Sequence, residues 1–235
     1  MPMTGRDIRE GGKSEIESFL EELRLAPKPT GSPSGQGRLI FALDATASRE
    51  RTWDQACEVQ GQMFLEADRL GGLTVQLVYY RGFHECKASG WLKSTAELVR
   101  LMTRVACRAG QTQLRRVLRH AIKEASAAPV QALVFIGDCM EEQLDELAEL
   151  GGQLGLLGVR CFMFQEGRDP PAERAFREIA RLSRGAYCRF DRNAPGELRA
   201  LLGAVAAFAA GGTKALQQLG DRGSSAVKLL TRQVS

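Results

Sequence analysis

Leu39-Ile40-Phe41-Ala42-Leu43-Asp44-Ala45-Thr46-Ala47-Ser48 is an apolar run that gives way at once to small, oxygen-bearing residues. A strand with one wet face alternates apolar and polar side chains. This run does not alternate, so it predicts a strand buried on both faces, as in a parallel sheet covered by helices. Asp44, at its carboxyl end, opens the turn into a following helix.

The same unit recurs along the chain. Apolar runs at Leu73–Tyr80, Ala132–Ile136, Val159–Phe164 and Ala186–Phe190 read as further strands. Between them lie stretches with helical periodicity: Trp53 to Leu70, residues 94–106, Leu114 to Ala125, residues 142–157, 171–184 and 195–209. Arg81-Gly82 turns the chain, and Phe83–Lys87 returns as a short edge strand. Alternating strands and helices predict an α/β domain: a doubly wound, mainly parallel sheet with one short antiparallel edge strand and helices on both faces. The domain is expected over 37–210. Residues 1–36 form an extension, with a capping box at Ser14-Glu15-Ile16-Glu17, a helix through Leu23 and a Pro/Gly/Ser linker. Residues 211–235 read as a tail with Gly and Ser breaks and a weak apolar segment at Val227–Leu230.

Composition narrows the function classes. The chain has 235 residues, 44% hydrophobic and 26% charged, with a formal charge of +4. The basic residues are interspersed with acidic ones, which gives no nucleic-acid footprint. No stretch approaches the roughly 18 apolar residues of a membrane span, and the N-terminus lacks an apolar leader, so a cytoplasmic location is expected. The six cysteines form no C-x-x-C pair, and with only His84 and His120 a zinc site is not expected. The Gly-Gly pairs follow or interrupt helices, the wrong context for a phosphate loop or dinucleotide fingerprint. Ser48 and Ser183 lack a nearby histidine to act as base. His84 and His120 are expected at the surface. Tyr79 and Tyr80 read as strand packing or as flanks of a binding surface.

Ligands of doubly wound sheets bind beyond the carboxyl ends of the strands. Three segments bring small oxygen donors to that edge. The first strand delivers Asp44, Thr46 and Ser48. The loop before the helix at Leu114 delivers Thr112, and the strand ending at Gly137 delivers Asp138. Two carboxylates and three hydroxyls suit a hard cation, which takes about six oxygens and keeps some waters. Separately, Asp44 and Thr112 could cap helices and Asp138 could be a loop carboxylate. Their joint placement favours the metal. Cys139, next to Asp138, either lines the mouth of the site or is structural filler.

Asp44-x-Thr46-x-Ser48 followed by Thr112 and Asp138 resembles the metal-ion-dependent adhesion site (MIDAS) of von Willebrand factor A (VWA) domains. The usual pattern there is D-x-S-x-S, a Thr, and an Asp after a buried strand. The likeness covers about residues 37–210. Ala47 stands where the family often has Gly, and Gly137-Asp138-Cys139 where it has Thr-Asp-Gly; neither change removes a ligand oxygen. The resemblance implies a VWA fold, a bound Mg²⁺ (with Mn²⁺ or Ca²⁺ as substitutes), and a partner protein whose Asp or Glu completes the coordination, without catalysis. Two other readings stay open. One is a haloacid-dehalogenase-like phosphatase, with Asp44 as nucleophile, Asp138 and Glu142 as Mg²⁺ ligands and Lys123 against the phosphate, although Thr46 stands where such enzymes carry a second Asp. The other is a metal-free VWA scaffold.

Overall fold

Odd and even residues of the first strand face different cores. In β1 (Gly37–Asp44), Leu39, Phe41 and Leu43 join one apolar cluster, while Ile40 and Ala42 join another on the opposite side of the sheet. That two-sided burial is why the run is apolar throughout. A computed structural model of the chain describes residues 37–49, 73–191, 195–222 and 225–234. The helices read at Ser14–Leu23 and Trp53–Leu70, and the linker between the first of them and β1, lie outside the described residues.

After β1 come β2 (Leu73–Arg81), β3 (Glu85–Ala88), α1 (Thr95–Met102), α2 (Leu114–Ala127) and β4 (Ala132–Gly137). They are followed by α3 (Leu144–Leu156), β5 (Arg160–Glu166), α4 (Pro170–Leu182), β6 (Ala186–Phe190), α5 (Pro195–Arg222) and α6 (Ser225–Val234). The six strands form one sheet in the order β3-β2-β1-β4-β5-β6. All neighbours are parallel except β2 and β3, which are antiparallel. The expected doubly wound sheet with its short edge strand is present.

One face of the sheet is covered by α1, α5 and α6, through Leu98, Met102, Leu201, Leu202, Val205, Val227 and Leu230. The other is covered by α2, α3 and α4, through Leu114, Val117, Leu118, Leu147, Leu154 and Phe176. On that second face Phe135 stacks on Tyr80, ring centroids 6.2 Å apart, and meets Phe176 edge-on at 5.3 Å. Such aromatic pairs add to the area they bury.

The C-terminal stretch departs from the sequence reading. Helix α5 runs on past Gly211, because Gly212 (φ 68°, ψ −165°) permits a kink rather than a stop. Helix α6 then buries Val227, Leu230 and Val234, spaced along one helical face, in the same core as α5. The expected tail is thus part of the packed structure. By length and composition Gly196–Gly220, with a mean hydropathy of 1.2, is apolar enough to cross a membrane. In the fold Leu201, Leu202, Ala204 and Val205 are instead buried against the sheet.

Candidate metal centre

The strand order reverses between β1 and β4, whose carboxyl ends lie side by side with Leu43 opposite Ile136. Asp44 and Asp138 therefore emerge next to each other at the switch point of the sheet, where loops diverge and leave a crevice. Gly137 makes the approach close: a Cβ there would meet the Phe135 ring and lie 3.7 Å from the Cβ of Asp44. The carboxylates of Asp44 and Asp138 and the thiol of Cys139 lie within 4.8 Å of one another.

The first loop folds on itself. The amide of Thr46 donates to Asp44 Oδ1 at 2.8 Å, an Asx-type turn that holds the carboxylate. The hydroxyls of Thr46 and Ser48 stand 3.1 Å apart. Backbone bonds tie this loop to its neighbours: Ala45 N–H donates to Tyr80 O at 2.9 Å, and Arg108 N–H to Ala45 O at 3.1 Å. The segment carrying Thr112 is thereby laid beside the first loop, and Gln111 N–H fastens it to Gly82 O at 3.3 Å.

Thr112 joins the third loop through Glu141. Its N–H and hydroxyl donate to Glu141 Oε2 at 3.0 and 2.7 Å, and the amide of Glu141 returns a bond to the Thr112 hydroxyl at 3.3 Å. Glu142 accepts from the amides of Leu114 and Arg115 at 2.6 and 3.2 Å. It thus caps α2 from another loop and complements its positive end. Burial pushes the Glu142 carboxyl above its usual range, against those amide bonds and Arg115, which pull it down.

Four of the five predicted donors are enclosed. Asp44 is 0%, Thr46 5%, Thr112 6% and Asp138 9% exposed, whereas Ser48 is exposed. Two charged carboxylates within 4.8 Å of each other repel by at least about 3 kcal/mol at an effective dielectric of about 20. A cation between them reverses that sign. The donor types, two carboxylates with neighbouring hydroxyls, fit a divalent ion.

Two residues at this site were not among the donors expected from sequence. Tyr80, opposite Asp44 in the β1–β2 register, is fully buried with its hydroxyl facing Asp44, and among the described residues no atom meets that hydroxyl in good hydrogen-bond geometry. Burial first, and then Asp44, raises its pKa far above the usual tyrosine range, so the phenol stays neutral. Cys139 is half-buried, with its thiol 3.5 Å from Asp138 Oδ1 and 3.8 Å from Glu141 Oε1. Burial, followed by Asp138, Glu141 and Asp44, raises its pKa strongly. The alternation along β2 puts Tyr80 on the α2 side, but its nearness to Asp44 depends on a strand pairing that spacing alone does not give. His120, expected at the surface, is half-buried on α2, and its Nε2 is 2.8 Å from Gln76 Oε1.

No family model and no curated protein matches the sequence. Solved structures do match it. The chain is similar to a von Willebrand factor type A protein from Catenulispora acidiphila, with 16% identity and a TM-score of 0.59 over 74% of this chain and 43% of that one. It is similar to the VWA domain of SpRpn10, with 10% identity and a TM-score of 0.53 over 73% of this chain and 94% of that one. It is also similar to proximal thread matrix protein 1 from the mussel byssus, a structure with a zinc-occupied MIDAS motif. That likeness has 13% identity and a TM-score of 0.58 over 74% of this chain and 46% of that one. The chain thus spans less than half of the first and third of these proteins. The strand order, the antiparallel edge and these likenesses together establish that the chain has a von Willebrand factor A fold.

Proposed function

We propose that this domain is a divalent-cation-dependent protein-binding module and not an enzyme. Asp44, Thr46, Ser48, Thr112 and Asp138 hold the ion, and an Asp or Glu of a partner protein completes its coordination. One observation carries the reading: two carboxylates from separate, adjacent strand ends are buried within 4.8 Å of each other. The oxygen donors by themselves suit Mg²⁺, with Mn²⁺ or Ca²⁺ as substitutes. Because the hydroxyls are neutral, the ion keeps enough positive character to draw an external carboxylate. The MIDAS named in the mussel byssus structure supports the idea that a site of this fold takes a cation.

Two observations favour binding over phosphoryl transfer. Glu142, which the phosphatase reading needs as a metal ligand, is engaged with the first turn of α2. Lys123, its phosphate-balancing residue, is an exposed side chain in the interior of that helix. The test is capture of partners on immobilised domain in Mg²⁺ and in EDTA, with Asp44→Ala beside the unaltered chain. The expected outcome is a set of partners lost both in EDTA and on substitution, while circular dichroism of the variant is unchanged. Identical capture in EDTA contradicts the proposal.

A further inference from the structure

Where the first and third loops meet, the donor set is not all oxygen. Cys139 Sγ stands 3.5 Å from Asp138 Oδ1, and both lie within 4.8 Å of the Asp44 carboxylate. In a tetrahedral site with oxygen at about 2.0 Å and sulfur at about 2.3 Å from the ion, neighbouring donors are about 3.3 to 3.7 Å apart. The Cys139–Asp138 pair already has that spacing. Bringing in Asp44 asks for roughly an ångström of side-chain movement by the same geometry.

A second, independent feature points to a ligand at this place. The Tyr80 phenol enters from β2, fully buried, with its hydroxyl toward Asp44 and no hydrogen bond of good geometry to any described residue. A neutral donor aimed at a ligating carboxylate is the outer-shell partner that metal sites use to fix their ligands.

We infer that Cys139 is a metal ligand, forming with Asp44 and Asp138 an O,O,S site that takes Zn²⁺ in preference to Mg²⁺. The inference rests on the metal reading above and concerns which ion that site selects. Thiolate is a soft donor, suited to the borderline-soft Zn²⁺ and poorly to the hard Mg²⁺, so a site of mixed oxygen and sulfur donors favours zinc. Ligation forms a metal–sulfur bond and releases the thiol proton to the buffer, with no change in oxidation state. Three anionic ligands leave the zinc form less attractive to an outside carboxylate than the magnesium form. Zinc therefore opposes capture of an acidic partner, and its fourth position is left to water.

The test uses the full chain under reducing conditions, stripped of metal and titrated with Co²⁺, Zn²⁺ and Mg²⁺, beside Cys139→Ser and Cys139→Ala. One equivalent of Co²⁺ is expected to give a near-ultraviolet thiolate-to-cobalt charge-transfer band that Zn²⁺ abolishes. Both variants are expected to lose the band and about a hundredfold in Zn²⁺ affinity, with Mg²⁺ affinity kept within about threefold. Co²⁺ bound without the band, or a band that survives in both variants, overturns the sulfur ligand and leaves the metal site standing. Failure of the unaltered chain to bind any of the three ions overturns the site itself. The second variant keeps the outcome readable where the first does not fold.

Discussion

His120 shows how far a side chain's surroundings depart from its position in the sequence. It lies on the long amphipathic helix α2, where a histidine reads as a surface residue, yet half of it is covered and its ring is 2.8 Å from the Gln76 side chain on β2. Gln76 in turn donates to Ser89 O at 3.0 Å, which leaves its oxygen to accept from His120. Burial holds the His120 pKa below the usual histidine range, although Glu124 pulls the other way. The folded state then favours the neutral ring. That contribution is complete above about pH 6.5 and is lost as the pH falls, because the unfolded chain takes up its proton first. Urea unfolding at pH 7.5 and 5.5 is expected to show lower stability at the acid value, with a smaller difference in His120→Gln. An equal difference in the variant would assign the pH dependence elsewhere. Asp44 and Asp138 were legible in the sequence because each ends an apolar run, and the run fixes where its carboxylate emerges. The bonds of Glu141 to Thr112, the capping of α2 by Glu142 and the approach of Tyr80 to Asp44 were not, because they depend on which loops and strands meet.

Among the elements, the loop 105–112 owes its course to a close backbone approach. Gly110 lies against Gly82, and a Cβ on Gly110 would run into the Gly82 carbonyl. Gly82 has φ 59°, and its carbonyl accepts from Gln111 and from Gln113 Nε2. Gly110→Ala must therefore separate the β2–β3 turn from the segment that carries Thr112. A loss of about 1–3 kcal/mol is expected from such overpacking, together with weaker metal binding, read by denaturant unfolding and by titration of the same sample. Stability and affinity both unchanged would show that Thr112 is positioned by something other than this approach. The elements that sequence rendered poorly are at the C-terminus. Gly211-Gly212 looked like a stop, but a positive φ at Gly212 turns the helix without ending its packing. Helix α6 then finishes the edge of the sheet: the Gln233 side chain accepts from Tyr187 N and donates to Tyr187 O, both at 2.9 Å. It takes the place of a further strand on β6 and covers backbone groups that would otherwise invite pairing with another chain. No period in the local sequence announces a side chain that imitates a strand.

At the scale of the whole molecule, one topological fact organises both fold and site. From the β1–β4 junction the parallel strands are added outward on opposite sides, so the loops beyond these two strands are the ones free to diverge and line a crevice. The sheet supplies rigidity from two apolar cores, and the loops place two buried carboxylates close enough that a bound ion would relieve their repulsion. The layered architecture was legible because runs buried on both faces admit few alternatives. The candidate donors were legible as residue types, whereas the approach of Asp44 to Asp138 required the register between β1 and β4. An ion that binds only the folded chain also stabilises it, by about 2.7 kcal/mol at a hundred times its dissociation constant. The most direct measurement is calorimetric titration of the metal-stripped chain with Mg²⁺ and Mn²⁺, with Asp44→Ala and Asp138→Ala run alongside and thermal unfolding recorded for each. The account predicts one ion per chain with a rise in melting temperature for the unaltered protein, and loss of both effects in either folded variant. No heat of binding and no thermal shift in the unaltered chain, or binding that survives both substitutions, would contradict it.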